Sequence, residues 1–211
     1  PKASLDEAIG WRKVFGGRPV WVAASTHAAE ESAVLDAHRR LRETHADALL
    51  LWAPRHPERF NAVAEQVREA GFALRRRSVE RGPDARCAVF LIDSLGELPG
   101  FLAAGDVAFV GGSLCEVGGH NLLEPAALGV PVLSGPHTFN FAEIAALLKD
   151  VGALETVGDA AELAAAIERL LADPEEARQR GRAGRQRIDR ERGALQRTLS
   201  LIDEVAGLPG H

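Results

Sequence analysis

The sequence predicts an α/β domain: a doubly wound, Rossmann-like parallel sheet with a helical C-terminal tail. Three observations predict it. Short, uniformly apolar runs alternate with amphipathic helical patterns along most of the 211 residues, as parallel strands covered on both faces require. Hydrophobic residues make up 46% of the chain, enough to sandwich a sheet between helices. Glycines, hydroxyls and charges gather just after the apolar runs, where an open parallel sheet binds its ligands.

In chain order, residues 1–18 read as an N-terminal linker and helix, 19–190 as the Rossmann-like domain and 191–211 as a C-terminal helix. An amphipathic pattern over 5–15 closes at Gly16-Gly17. A strand at 20–24 precedes a helix over 30–45 with Val34, Leu35, His38 and Leu41 on one face. The next strand covers 48–52, and Pro57 starts a helix over 58–70 that Gly71 stops. An edge strand follows at 72–74. Residues 75–86, opening on Arg75-Arg76-Arg77, read as a solvated surface loop. A strand at 88–92 and a short helix at 98–103 lead to residues 107–136, a strand, glycine-rich loop, helix and strand in succession. A helix at 141–150, a strand at 154–157 and a helix at 160–172 come next. An arginine-rich helix from Pro174 is expected to break near Gly181 and Gly184, leaving 194–206 as a separate closing helix.

A net charge of −5 argues against general nucleic-acid binding through a basic surface. Cys87 and Cys115 lie in or beside apolar runs and read as buried, reduced thiols of a cytoplasmic protein. No signal peptide and no bilayer-length apolar run is present, and the chain opens on Pro1 rather than Met, so a fragment of a longer protein is expected. The nucleotide-binding motifs GxGxxG after the first strand and GxxxxGK[ST], the metal motifs DxD and HExxH, and the nucleophile elbow GxSxG are all missing.

The stretch 107–136 carries the functional signal. Gly111-Gly112-Ser113 and Gly118-Gly119-His120-Asn121 let the backbone turn sharply and approach a ligand, and the following helix aims N–H groups at it. Phosphate is the expected guest. Arg55, in a loop flanked by Pro54 and Pro57, reads as its bidentate partner or as a surface ion pair. Glu124 reads as an acceptor for ribose hydroxyls or as a charge stabilising the helix start. Asn121 reads as a helix cap or a phosphate donor, and His120 as a ligand to a charged group or as a structural histidine. His27, His56 and His137 read first as structural histidines. Leu95, Gly96 and Glu97 follow a strand, and at a flexible glycine they can present backbone groups to a base edge. Together these residues imply a nucleotide or sugar-nucleotide site.

The segments VWVAASTHAAEE, APRHPERF, DSLGELPGF and GGSLCEVGGHNLLEPAALGVPVLSGPHTFNF, in that order, resemble the C-terminal half of the 3-deoxy-D-manno-octulosonic acid (Kdo) transferases. The resemblance covers nearly the whole chain and implies one half of a GT-B type, inverting glycosyltransferase. Such an enzyme transfers Kdo from CMP-Kdo to a lipid A precursor in lipopolysaccharide assembly, at the cytoplasmic face of the bacterial inner membrane. The spacing of Glu116 and Glu124 is similar to a glutamate pair in many glycosyltransferases of this fold. The resemblance implies CMP contacts at Pro54, Arg55, Leu95, Gly96, Glu97, Asn121, Leu122, Leu123 and Glu124. Gly118, Gly119 and His120 are expected near the Kdo carboxylate, and Ser25 and His56 are further candidates for the phosphate or sugar. It also implies no metal and no cofactor beyond the donor. The acceptor site, the membrane anchor and the glutamate acting as general base are expected on an N-terminal domain, so no catalytic residue is expected in this chain and it should not transfer Kdo alone. The alternatives are a sugar-nucleotide epimerase half, preferring UDP-linked sugars, and a non-catalytic nucleotide-binding module.

Overall fold

The computed structural model describes the backbone of residues 2–206 and the side chains of residues 6–192. Seven strands form one parallel sheet: β1 (Val20–Thr26), β2 (Leu49–Pro54), β3 (Leu74–Arg76), β4 (Val89–Leu91), β5 (Val107–Val110), β6 (Val132–Ser134) and β7 (Leu154–Thr156). Their spatial order is β3-β4-β2-β1-β5-β6-β7. From β1 the chain passes through β2 to the edge strand β3, inserts β4 between β3 and β2, and then crosses to β5, β6 and β7 on the other side of β1, so the winding reverses between β1 and β5. That crevice is where a doubly wound sheet offers a ligand site.

The helices are α1 (Lys2–Phe15), α2 (Glu31–Thr44), α3 (Phe60–Glu69), α4 (Leu98–Ala104), α5 (Leu123–Leu128), α6 (Ala142–Asp150), α7 (Ala160–Ala172) and α8 (Pro174–Ala206). Alternation along each strand assigns them to faces. Trp21, Ala23, Leu50 and Trp52 pack on one side against Val34 and Leu41 of α2, Val63 and Val67 of α3, and Leu163 and Ile167 of α7. Val20, Val22, Leu49 and Leu51 pack on the other side against Phe15 of α1 and Phe101 and Leu102 of α4. A third cluster joins Val110, Leu122, Ala126 and Val132 to Leu148 of α6 and Ile188 of α8. The central strands are buried on both faces, which is why they read as uninterrupted apolar runs.

Three expectations are corrected. The edge strand lies at Leu74–Arg76 rather than 72–74, so Arg75 and Arg76 belong to the sheet and not to a loop. The arginine run is an ion-pair seam rather than a solvated connector: Arg75 pairs with Asp84, Arg76 with Asp93 and Arg77 with Glu97, each at 2.7 Å. The C-terminal helix does not break, because α8 runs unbroken for 33 residues. Its glycines are contact points. A Cβ at Gly181 would collide with the carbonyl oxygen of Gly129, which ends α5. Bare backbone lets α8 lie directly on that turn. The expected closing helix is the end of this same helix; the side chains of 193–206, and their expected packing toward another domain, lie outside the described residues.

Candidate functional site

The carboxyl ends of β1, β2, β4 and β5, together with α5, surround a cavity of about 430 Å³. Ser25, Pro54, Arg55, Leu95, Gly96, His120, Asn121 and Glu124 line it, joined by Phe60, Ser94 and Phe141. Segments far apart in sequence converge because each follows a parallel strand and so emerges on the same rim. Ser25 adopts a φ of 57°, in the left-handed region that a residue with a side chain seldom enters. The register of β1 slips there between Ala24 and Thr26. The strand end is anchored from both sides: Thr26 Oγ1 accepts the indole N–H of Trp52 at 2.8 Å, and the Thr26 carbonyl accepts the Arg55 N–H at 3.0 Å.

Arg55 is exposed at the cavity and, among the described residues, pairs with no carboxylate. Its neighbours are spent: Arg59 on Glu31, Arg76 on Asp93, Arg77 on Glu97. Asn121 works locally in two ways. Its Oδ1 accepts the Leu123 N–H at 3.0 Å, and its Nδ2 donates to Glu124 Oε1 at 3.2 Å, which sets the Glu124 carboxylate at the wall. Beside them, His120 Nε2 lies 2.7 Å from His27 Nε2, and His56 stands edge-on to His27. Burial lowers His120 to about 4, with His27 and Arg55 adding to the effect; burial also lowers His27. At that separation one ring donates its Nε2–H and the other accepts it, so the accepting ring is neutral.

Other expected site residues lie off this wall. Glu97 is turned away, its carboxylate held by Arg77 and the Ser94 hydroxyl; it braces the loop whose Leu95 and Gly96 line the cavity. Leu122 is buried in the core and Leu123 packs against it, so of the 121–124 segment only Asn121 and Glu124 present side chains. Gly118 packs against Phe139 and Asn140 and Gly119 against His137 and Thr138, and neither lines the cavity. His56 stands beside His27 without lining the cavity, and Glu116 is exposed and likewise outside the lining.

The glycine loop after β5 departs from expectation. The N–H groups of Gly112, Ser113 and Leu114 are not open to a phosphate, because the carboxylate of Glu30 accepts all three at 2.7, 3.0 and 2.9 Å. Glu30 was hidden in the sequence: an acidic pair at the start of α2 reads simply as charge favourable to a helix N-terminus.

A second cavity, of about 460 Å³, opens at the other end of the strands. Its arginines are already engaged, Arg12 with Asp106, Arg18 with the carbonyls of Asp47, Asp84 and Cys87, and Arg178 with Glu175. It offers no open cation, and the rim with Arg55 is the better anion site. Among the described residues no group of three or more His, Cys, Asp or Glu is placed to hold a metal ion, and no helix is long and apolar enough to cross a membrane.

The family description "Glycosyl transferases group 1" matches residues 29–187, from the turn before α2 into α8. The chain belongs to this family of glycosyl transferases. Within the family it is 47% identical over 186 residues to the 3-deoxy-D-manno-octulosonic acid transferase of Haemophilus influenzae, covering 88% of this chain and 44% of that protein. It is 39% identical over 211 residues to the enzyme of the same name from Bordetella pertussis, covering 98% and 49%. This glycosyl transferase domain thus spans about half the length of the curated relatives it matches. The crystal structure of the C-terminal CMP-Kdo binding domain of WaaA from Acinetobacter baumannii superposes with a TM-score of 0.84 at 35% identity, covering 89% of this chain and 99% of that one. The chain is the counterpart of that C-terminal domain. A putative UDP-N-acetylglucosamine 2-epimerase from Listeria monocytogenes, 18% identical with a TM-score of 0.57 over 80% of this chain and 40% of that one, shares the fold alone.

Proposed function

We propose that this domain binds CMP-Kdo as the donor half of an inverting Kdo transferase whose acceptor is a lipid A precursor. The observation that carries the reading is Arg55: an arginine without a carboxylate partner among the described residues, set in the rim cavity opposite Glu124. A guanidinium in that position is matched to a phosphate diester. In this reading Arg55 takes the CMP phosphate, Glu124 accepts the ribose hydroxyls, and the Leu95–Gly96 backbone meets the cytosine edge. The neutral His120 faces the sugar. Similarity to the CMP-Kdo binding domain supports the choice of nucleotide. Binding proceeds without a metal ion, and the whole transferase works at the cytoplasmic face of the inner membrane, as the family resemblance implies.

Calorimetric titration tests this. CMP should bind with and without EDTA, and more tightly than UDP. Arg55→Ala should weaken CMP binding roughly 10- to 100-fold, the range expected for losing a charged hydrogen-bonded contact, with little change in Tm. Equal affinity for CMP and UDP, or an unchanged affinity in the Arg55 variant, would overturn the assignment.

A further inference from the structure

Three successive N–H groups converging on one point form a nest that ordinarily binds an anion from solution. Here the protein supplies its own. Glu30 Oε2 accepts from Gly112 and from its own turn at His27 N (3.0 Å), while Oε1 accepts from Ser113 and Leu114. The carboxylate is fully buried, and among the described residues no lysine or arginine pairs with it. Backbone dipoles alone satisfy it.

The packing is built around this group. A Cβ at Gly111 would come within 2.8 Å of Glu30 Oε2 and 2.7 Å of Thr26 Cα. The Ser25 carbonyl oxygen stands as close, at 2.8 Å, so the glycine there is explained by the end of β1 and the Glu30 carboxylate together rather than by an incoming phosphate. Two connections run from Glu30 to the cavity wall. Through Gly112, whose carbonyl accepts the Gly119 N–H at 2.7 Å, the second glycine pair is folded onto the first and His120 rests against Gly112. Through His27, whose N–H Glu30 holds, the Nε2···Nε2 contact fixes the His120 ring. Glu30 follows β1 and its partners follow β5, so it bridges the crevice where the winding reverses.

We infer that Glu30 is a positioning residue for the donor site: its carboxylate fills the β5-loop nest and thereby sets His120 at the cavity wall. The assignment of a donor rests on the proposed function; the positioning of His120 does not. Glu30→Gln keeps the shape but turns an amide NH₂ toward N–H donors. It should weaken CMP binding about tenfold or more and shift the Gly112, Ser113, Leu114 and His120 amide resonances. Glu30→Ala removes a group with the atoms of acetate. Acetate, but not acetamide or chloride, should return both the affinity and those resonances toward wild type, a rescue that a packing role alone would not show. Wild-type CMP affinity in Glu30→Gln, or acetate raising Tm while His120 stays displaced, would overturn the inference. If the unsubstituted chain takes no CMP, the proposed function falls and the His120 resonances alone decide the role of Glu30: acetate-reversible movement upholds it, an unmoved His120 overturns it.

Discussion

At the scale of residues, the buried polar side chains separate into structural and site groups by what they bond. His38 is structural. Its Nδ1 accepts the Trp21 indole N–H at 3.1 Å, its Nε2 lies 3.0 Å from the Ala88 carbonyl, and the residue is fully buried. Burial first, then the nearby Arg42, lowers it from 6.5 to about 3. Between those values the unfolded chain holds a proton that the folded chain does not, so folding weakens as pH falls through that window and is unaffected above it. The His38 contribution approaches roughly 1.4 kcal/mol per pH unit for one proton. Urea unfolding at pH 7 and pH 5 should show a steeper loss for the wild type than for His38→Gln; identical slopes would show that this histidine does not titrate on unfolding. Arg55 is the opposite case, exposed at the cavity and without a carboxylate partner among the described residues, and its substitution should move ligand affinity rather than stability.

At the scale of elements, two loops and one long helix shape the rim. The end of β1 and its turn into α2 supply Ser25, His27 and Glu30, and the loop from β5 with the first turn of α5 supplies His120, Asn121 and Glu124. The position of α5 depends in turn on α8 lying against its final turn at Gly129. Ala is intrinsically better than Gly in a helix by about 1 kcal/mol, yet Gly181→Ala would drive a methyl into the Gly129 carbonyl. Overpacking of this kind costs about 1–3 kcal/mol, and more where backbone must move. With the upper end of that range for a clash with backbone, the expected net loss is about 2 kcal/mol, a fall in Tm of roughly 4–8 °C for a domain of this size. Arg182→Ala, at an exposed site one residue on, should leave Tm nearly unchanged, since its ion pair with Glu175 is a surface pair. A Gly181 variant as stable as the wild type would show that α8 can stand off from α5.

At the scale of the whole molecule, one rim of one sheet holds the candidate site, and the chain spans about half the length of its curated relatives. Transfer also needs a base within hydrogen-bond reach of the acceptor hydroxyl. The proposed division places donor binding here and that base on the other half of the transferase. The 211-residue chain should therefore bind CMP yet show no transfer in a radiolabelled acceptor assay, with transfer appearing when the N-terminal half of a relative is joined to it. Measurable transfer by this chain alone would contradict that division.

The sequence by itself determined the sheet and most of its rim. The central strands are buried on both faces and so appear as bare apolar runs, and a parallel sheet sends every strand end to one side. That logic put Ser25, Arg55, Leu95 and Gly96 on one rim before any coordinates, in a wider set that also held His27, His56, Glu97 and His137. Only the tertiary structure decided which groups face the cavity and which hold the frame. Only the fold shows that the Glu97 carboxylate is held by Arg77, 20 residues away, which leaves its backbone as the part that can meet a ligand. Gly181 looked like a helix breaker until Gly129 was seen beneath it. Glu30 carried only a helix-start signal, because apart from the His27 N–H in its own turn its partners are backbone N–H groups 82 to 84 residues away. A backbone N–H is present at every residue except proline, so residue types cannot show which of them converge. That convergence is a property of the folded chain.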